Sequence, residues 1–281
     1  MERLLPMNHN NHSNSVGTNL NQVTEIAPQL LLALPFILAL ILYIFAVIIS
    51  NRHHKQWPLS RTVYWVSGVL SAVISVAGPL ANRAHIDFTA HMLGHLLLGM
   101  LAPLLMVLAA PMTLVLRTIR ITLARRLTRV LRSWLSRMFT HPIVTSVLNI
   151  GGLWLLYTTN LYSLMHESTV LNFIVHFHVF MAGYLFTVSM IYIDPILHRI
   201  SFLYRSIVLI IALAGHGILS KYIYTHPPAG IPLEQANQGS MIMYYGGDII
   251  DIIIIFILCL QWFRATKPRR GLALGQAIEQ R

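Results

Sequence analysis

The sequence predicts an all-α fold, a polytopic bundle of seven membrane-crossing helices, and three observations carry that prediction. Hydrophobic residues make up 56% of the 281 and charged residues only 10%, against about 25% charged in a soluble domain. Apolar runs of about 18 to 25 residues, each long enough to cross a bilayer as a helix, recur seven times. Basic residues gather in the segments on one side of those runs, so the formal net charge of +11 records topology and not a nucleic-acid partner.

Residues 1–29 hold the Asn-rich stretch MNHNNHSNSVGTNLNQ, which has too little apolar surface to offset the entropy of ordering. It is expected to be a disordered polar tail in which Met7, His9 and His12 capture a metal only in passing. It lacks a basic-then-apolar run ending in a small-residue cleavage site, so the first span is expected to serve as an uncleaved anchor. The transmembrane domain covers 30–265, with runs near 30–50, 62–80, 91–116, 143–163, 170–193, 206–224 and 241–263. Within it, residues 117–140 alternate Arg with Leu, Ile, Val and Trp134 at near-helical spacing. That pattern suits an amphipathic helix at the headgroup surface, with anionic membrane lipid as its partner. Residues 266–281 read as a basic tail.

Seventeen of the 20 Lys and Arg residues fall on one side of the spans, leaving Arg3, Arg83 and Lys221 on the other. The positive-inside rule then places the N-terminus outside and the C-terminus in the cytoplasm, as an odd number of spans requires. Cys259 is the only cysteine. A disulfide framework and a CxxC site within the chain are therefore excluded, and metal chemistry must use nitrogen, oxygen or thioether ligands.

Five of the fourteen histidines and two of the nine acidic residues lie inside the apolar runs. An ionisable side chain in hydrocarbon is costly, about 2.5 to 3.5 kcal/mol for Asp, unless paired, ligating or wetted. His91 and His95 stand one turn apart on one face of the third span, about 6 Å along the axis, and an i, i+4 pair can chelate an ion. His176 lies six residues into the fifth span, while His178, about 200° further round the helix, should face elsewhere. His216 falls roughly 12 Å below the outer end of the sixth span. Asp248 and Asp251 are spaced i, i+3 in the seventh and are expected on one face. These depths converge on the outer half of the bilayer, so His91, His95, His176, His216, Asp248 and Asp251 are the candidate metal ligands. Met92 and Met243 lie close to them in sequence, and imidazole with thioether and no thiolate favours copper over structural zinc. A lone histidine in a span is more often a hydrogen-bonded contact between helices; it is the ensemble at one depth that argues for a site. His166 and Glu167, in the outer loop after the fourth span, lie close enough to form an entry position, although a solvated loop pair is the commoner arrangement.

Several motifs resemble the caa3-type cytochrome c oxidase assembly factor (CtaG) family: HMLGHLLLGMLAPLLMVLAAP from His91, LNFIVHFHVFMAGYLF from Leu171, IDP from Ile193, HGIL at His216 and EQANQGSMIMYYGG from Glu234. The resemblance implies a seven-span bacterial plasma-membrane protein needed to make an active haem-copper oxidase, with oxidase subunits and an extracytoplasmic copper chaperone as partners. It carries over to His91, His95, His176, His178 and His216, whereas Asp248 and Asp251 rest on depth. Where the family pattern has Gln and His, this chain has Gly94 and Tyr157. The reading that follows is a membrane assembly factor, not an enzyme, that binds a copper ion at the outer-facing intramembrane site and helps to insert it into the oxidase. Two alternatives stand beside it: a haem b-binding oxidoreductase with axial histidines from two helices, and a metal or proton transporter.

Overall fold

The computed structural model describes residues 13–195 and 199–267, the side chains of 13–27 excepted. The readings for Met7, His9 and His12 and for the tail beyond Lys267 fall outside those residues. Every regular element among the described residues is a helix. In chain order these are α1 (Ser13–His53), α2 (Leu59–Val76), α3 (Pro79–Ala84), α4 (Phe88–Leu108), α5 (Pro111–Thr118), α6 (Ile121–Leu131), α7 (Trp134–Phe139), α8 (Pro142–Thr158), α9 (Leu161–Glu167), α10 (Thr169–Met190), α11 (Phe202–Thr225) and α12 (Leu233–Thr266). The residues Pro28–His53 of α1, and α2, α4, α10, α11 and α12, are each long and apolar enough to cross a membrane. The pair α8 and α9, bent by 79°, makes a seventh if it counts as one span.

The ends of the elements depart from the apolar runs where the backbone chemistry changes. α1 reaches back to Ser13, into the stretch expected to be an unstructured tail. The second span stops at Val76, and Gly78 takes φ 86°, a left-handed value that glycine adopts at little cost, before Pro79 opens α3. The third run, expected to continue to residue 116, ends at Leu108. Pro111 disfavours the helical conformation at the residue before it, and Ala110 sits at φ 52°. Substituting Ala110→Gly should relieve that left-handed strain and raise the thermal stability in detergent by up to about 1 kcal/mol, whereas Ala110→Val should lower it.

At this end of the bundle two charged groups serve as helix caps. The backbone N–H groups of Met112 and Thr113 donate to the Asp194 carboxylate at 3.0 and 2.7 Å, and the Thr113 hydroxyl donates to it at 2.6 Å. The first turn of a helix has unpaired N–H donors that a carboxylate can satisfy. Asp194 therefore ties the segment after α10 to α5. Asp194→Ala should cost about 2 kcal/mol, read as a lower melting temperature, with Asp194→Asn recovering part of it. Arg205, counted by sequence among the loop charges, is instead fully buried. Its guanidinium donates to the Met190 carbonyl at 2.7 Å at the end of α10, and lies 3.9 Å from the Tyr192 ring centre and 4.6 Å from that of Phe202. A cation at a helix C-terminus meets carbonyls without partners, so this charge locks α10 to α11.

The central element is α4, two-thirds of which is buried (67%). Its first half packs on α12, its second half on α2 and α10, and α12 also lies along α11. Small residues permit the closest crossings, as in membrane bundles generally. A Cβ on Gly183 of α10 would collide with the Gly99 carbonyl of α4, and one on Gly68 of α2 would come within 2.7 Å of Met106. Gly99 lies in a π turn, Leu97–Leu101, that begins two residues after His95, and α8 carries a second one at Val147–Gly151. Below the π turn of α4, toward the arginine-rich helices α5 to α7, Leu104, Phe186, Met190, Leu209, Ile254 and Leu258 form an apolar cluster. Polar side chains collect at the other end.

Candidate functional site

Three cavities follow one another down the bundle from the end opposite the arginine-rich helices. The outermost, about 550 Å³, is lined among others by His85, His91, Met165, His166 and His176. The second, about 30 Å³, is bounded by His91, His95, Tyr157, Met165 and His176. The third, about 20 Å³, is bounded by His95, Met100, His216 and Asp251. A cavity must offer about 10 to 15 Å³ to hold one water, so each inner space accommodates a single water or ion. His91, Met165 and His176 belong to both of the first two, and His95 to both of the last two.

His91 and His95 come from one face of α4, both buried, but engage different layers. His91 Nε2 is 3.1 Å from the Tyr157 hydroxyl, and its ring centre lies 4.9 Å from that of Tyr162 and 6.3 Å from that of His166. His95 has no hydrogen-bond partner at either ring nitrogen, and His216 has none at Nε2. Those two rings, 7% and 4% exposed, have centres 6.4 Å apart with a 33° tilt. Buried polar atoms are nearly always paired in folded proteins, and leaving one unpaired costs about 1 to 3 kcal/mol. Three ring nitrogens on two neighbouring imidazoles are thus without a hydrogen-bond partner among the described residues, and the lone pair that each neutral ring keeps is what a metal ion would take up.

His176 presents a complementary arrangement. Its Nδ1 lies 2.9 Å from the Asn172 carbonyl; a carbonyl only accepts, so Nδ1 carries the proton and Nε2 keeps its lone pair. Ligating histidines commonly use one nitrogen in this way to fix the tautomer and the ring orientation. His178 faces elsewhere, as the helical spacing implies, and its Nε2 lies 3.1 Å from the Leu148 carbonyl in the π turn of α8. That contact adds a second partner to a carbonyl that also accepts from the Gly152 N–H, joins α10 to α8, and gives His178 a structural role.

Asp251 and Asp248 part company. Asp251 is buried against the innermost cavity, while Asp248 is exposed on α12, so the expectation that both share the site face is corrected. Three residues turn an α-helix about 300°, leaving a 60° offset, and on this helix that offset crosses from the packed face to the outer one. Met92 and Met243 are also displaced from the expected role: both are fully buried in an apolar cluster with Phe88 and Leu219. Met165 and Met100 line the cavities in their place. Sequence reasoning passed over His85, Tyr157 and Tyr162 as members of this region and took His166 for a solvated loop residue. Of the four only Tyr162 and His166 stand in an i, i+4 pattern, and folding of α3, α8 and α9 around the end of α4 is what brings all of them together.

Among the described residues, no three His, Cys, Asp or Glu side chains are placed to hold one metal ion. The six predicted ligands therefore do not form one closed centre. Five of them, Asp248 apart, are strung along the row of cavities, with His91 and His95 a full turn from each other. The inner pair remains suited to an ion of low coordination number. Two imidazoles bound in line through metal–nitrogen bonds of about 2 Å, each nitrogen about 1.1 Å from its ring centre, have centres about 6 Å apart, and monovalent copper is a soft ion that imidazole and thioether suit.

The comparisons with known proteins concern the whole bundle. The chain is 25% identical over 250 residues to an uncharacterized protein of Mycobacterium leprae, an alignment covering 79% of this chain and 37% of that one. It is 27% identical over 244 residues to uncharacterized proteins of Mycobacterium bovis and Mycobacterium tuberculosis, covering 77% of this chain and 36% of each. The chain thus spans little more than a third of the length of these relatives. No solved structure matches it. Residues 41–265 match the family model of the cytochrome c oxidase caa3 assembly factor, a stretch that begins midway through the apolar part of α1, runs almost to the end of α12 and includes every histidine that lines the three cavities. The chain belongs to the cytochrome c oxidase caa3 assembly factor family.

Proposed function

We propose that the protein is a multi-pass protein of the bacterial plasma membrane, N-terminus outside, that carries monovalent copper to a haem-copper cytochrome c oxidase during assembly and catalyses no reaction of its own. Family membership supports the oxidase assembly role. The observation that carries the copper reading is the facing pair His95 and His216, buried with unpaired ring nitrogens at 6.4 Å between ring centres. In this reading the pair is the holding site, and Asp251 beside it balances the ion's charge. His91 and His176 are exchange ligands nearer the mouth, and Asp248 on the outer face of α12 takes no part. Oxidase subunits receive the ion, an extracytoplasmic copper chaperone supplies it, and anionic lipid anchors α6.

Copper is favoured over the two alternatives on specific grounds. A porphyrin between His95 and His216 needs space many times larger than the 20 Å³ found there. A path through the membrane would have to cross the apolar cluster around Leu104, Phe186 and Leu258. The cellular test is oxidase copper content in membranes of a strain lacking the gene. Wild-type protein should restore it and the His95→Ala, His216→Ala variant should not; full restoration by that variant refutes the carrier role.

A further inference from the structure

We propose that His85 and His166 form a separate capture site for monovalent copper at the mouth of the outer cavity, from which the ion passes to His91 and His176 and then to His95 and His216. This rests on the copper-carrying reading above and adds to it a site outside the predicted ligand set. His85 closes α3 and His166 lies near the end of α9, two short elements that meet above α4. Both side chains are exposed, in contrast to the buried inner pair, and their ring centres are 5.6 Å apart. That is slightly shorter than the about 6 Å of an in-line pair, so a bent two-nitrogen bridge suits it.

Three features make this pair a first stop. His166 lies 6.3 Å from His91, ring centre to ring centre, so a neighbouring imidazole is at hand when one of the two lets go. The edge of the His166 ring packs against Tyr162 at 4.9 Å, which limits its rotamers. Glu167 lines the same cavity and supplies negative charge at its mouth, which raises the local concentration of a cation. The sizes of the cavities explain why a capture step is needed. The outer one, about 550 Å³, admits a hydrated ion or a small complex, whereas the next, about 30 Å³, holds about one water. The ion must shed its water or carrier ligands at the boundary, and an imidazole pair there replaces them one donor at a time. No electron changes hands: Cu(I) remains Cu(I), and each exchange forms one Cu–N bond as another breaks.

The test uses the full chain in lipid nanodiscs and Cu(I) delivered from a weak chelator complex, with the time course of loading and the final occupancy recorded for wild type and for the His85→Ala, His166→Ala variant. The variant should reach the same occupancy at equilibrium with a loading rate lower by about tenfold at limiting Cu(I), and His166→Met, which keeps a soft donor, should load faster than His166→Ala. Equal loading rates in wild type and the double variant overturn the capture site while leaving the copper-carrying reading intact. Loss of occupancy as well as rate also overturns it, since the exposed pair would then belong to the holding site. A wild-type protein that takes up no Cu(I) overturns both readings.

Discussion

Replacing His95 and His216 together by alanine is expected to weaken Cu(I) affinity by at least about 100-fold, because removal even of groups that merely orient a ligand costs about 10- to 100-fold. The same change is expected to leave the metal-free protein as stable as wild type or more so. The reason lies in the unpaired nitrogens: His95 has two and His216 one, all buried, and each carries a desolvation cost of about 1 to 3 kcal/mol with no hydrogen bond to offset it. Substitution with leucine fills the space and removes that cost, so His95→Leu should raise the melting temperature of the metal-free form while abolishing copper retention. A structural histidine behaves in the opposite way. His178→Leu, which removes the bond between its ring and the Leu148 carbonyl and leaves that carbonyl only the Gly152 N–H, should lower stability and leave Cu(I) affinity within about twofold, since the His178 ring lines none of the three cavities. Competition with a colorimetric Cu(I) chelator, run beside thermal unfolding in detergent, reads both quantities on each variant.

The second large effect is expected at Gly183, where alanine should destabilise the bundle by about 3 kcal/mol or more, within the range for steric insertion at a close-packed backbone crossing. The Cβ would fall on the Gly99 carbonyl, which is backbone and cannot rotate away, so α10 and α4 must move apart. Gly99 is part of the π turn that follows His95, so the same displacement should shift the His95 ring relative to His216 and reduce copper retention along with stability. Gly217→Ala provides the control on α11. There the new Cβ would meet only the Tyr244 ring at 3.5 Å, an ordinary contact, and the cost should stay below about 1 kcal/mol. A Gly183→Ala protein that melts with wild type would show that the two helices are less tightly joined than this crossing implies.

Much of the fold was legible because membrane spans are written in composition. Among the described residues six of the seven apolar runs fall on helices long and apolar enough to cross a membrane and the seventh falls on a bent pair, and the prolines at positions 79 and 111 follow two of the places where those helices stop. The π turns left no trace in the sequence, since neither LLGML nor VLNIG differs in kind from a regular helical segment. Asp194 and Arg205 were equally silent. Each caps a helix end brought to it by tertiary folding, Asp194 from 81 residues away, and local pattern carries no information at that range.

For the candidate site, the sequence identified helix positions but not azimuth. His91, His95, His176 and His216 were named from depth and resemblance, and all four line the row of cavities, as does Asp251. Asp248 failed because depth says nothing about which side of α12 meets the bundle. The division into layers was hidden for a related reason: an i, i+4 pair was read as a single chelating unit, whereas of the two rings Tyr162 meets only that of His91, Tyr157 meets both, and His95 meets His216. The Tyr157 hydroxyl bonds to His91 Nε2, while both ring nitrogens of His95 have no hydrogen-bond partner among the described residues.

X-ray absorption at the copper edge of the full chain loaded with one equivalent of Cu(I) tests the central claim most directly. The account predicts a two-coordinate spectrum with nitrogen scatterers at about 2 Å and the outer-shell pattern of imidazole, lost in the His95→Ala, His216→Ala variant. A spectrum with four first-shell donors, or one unchanged in that variant, would contradict it.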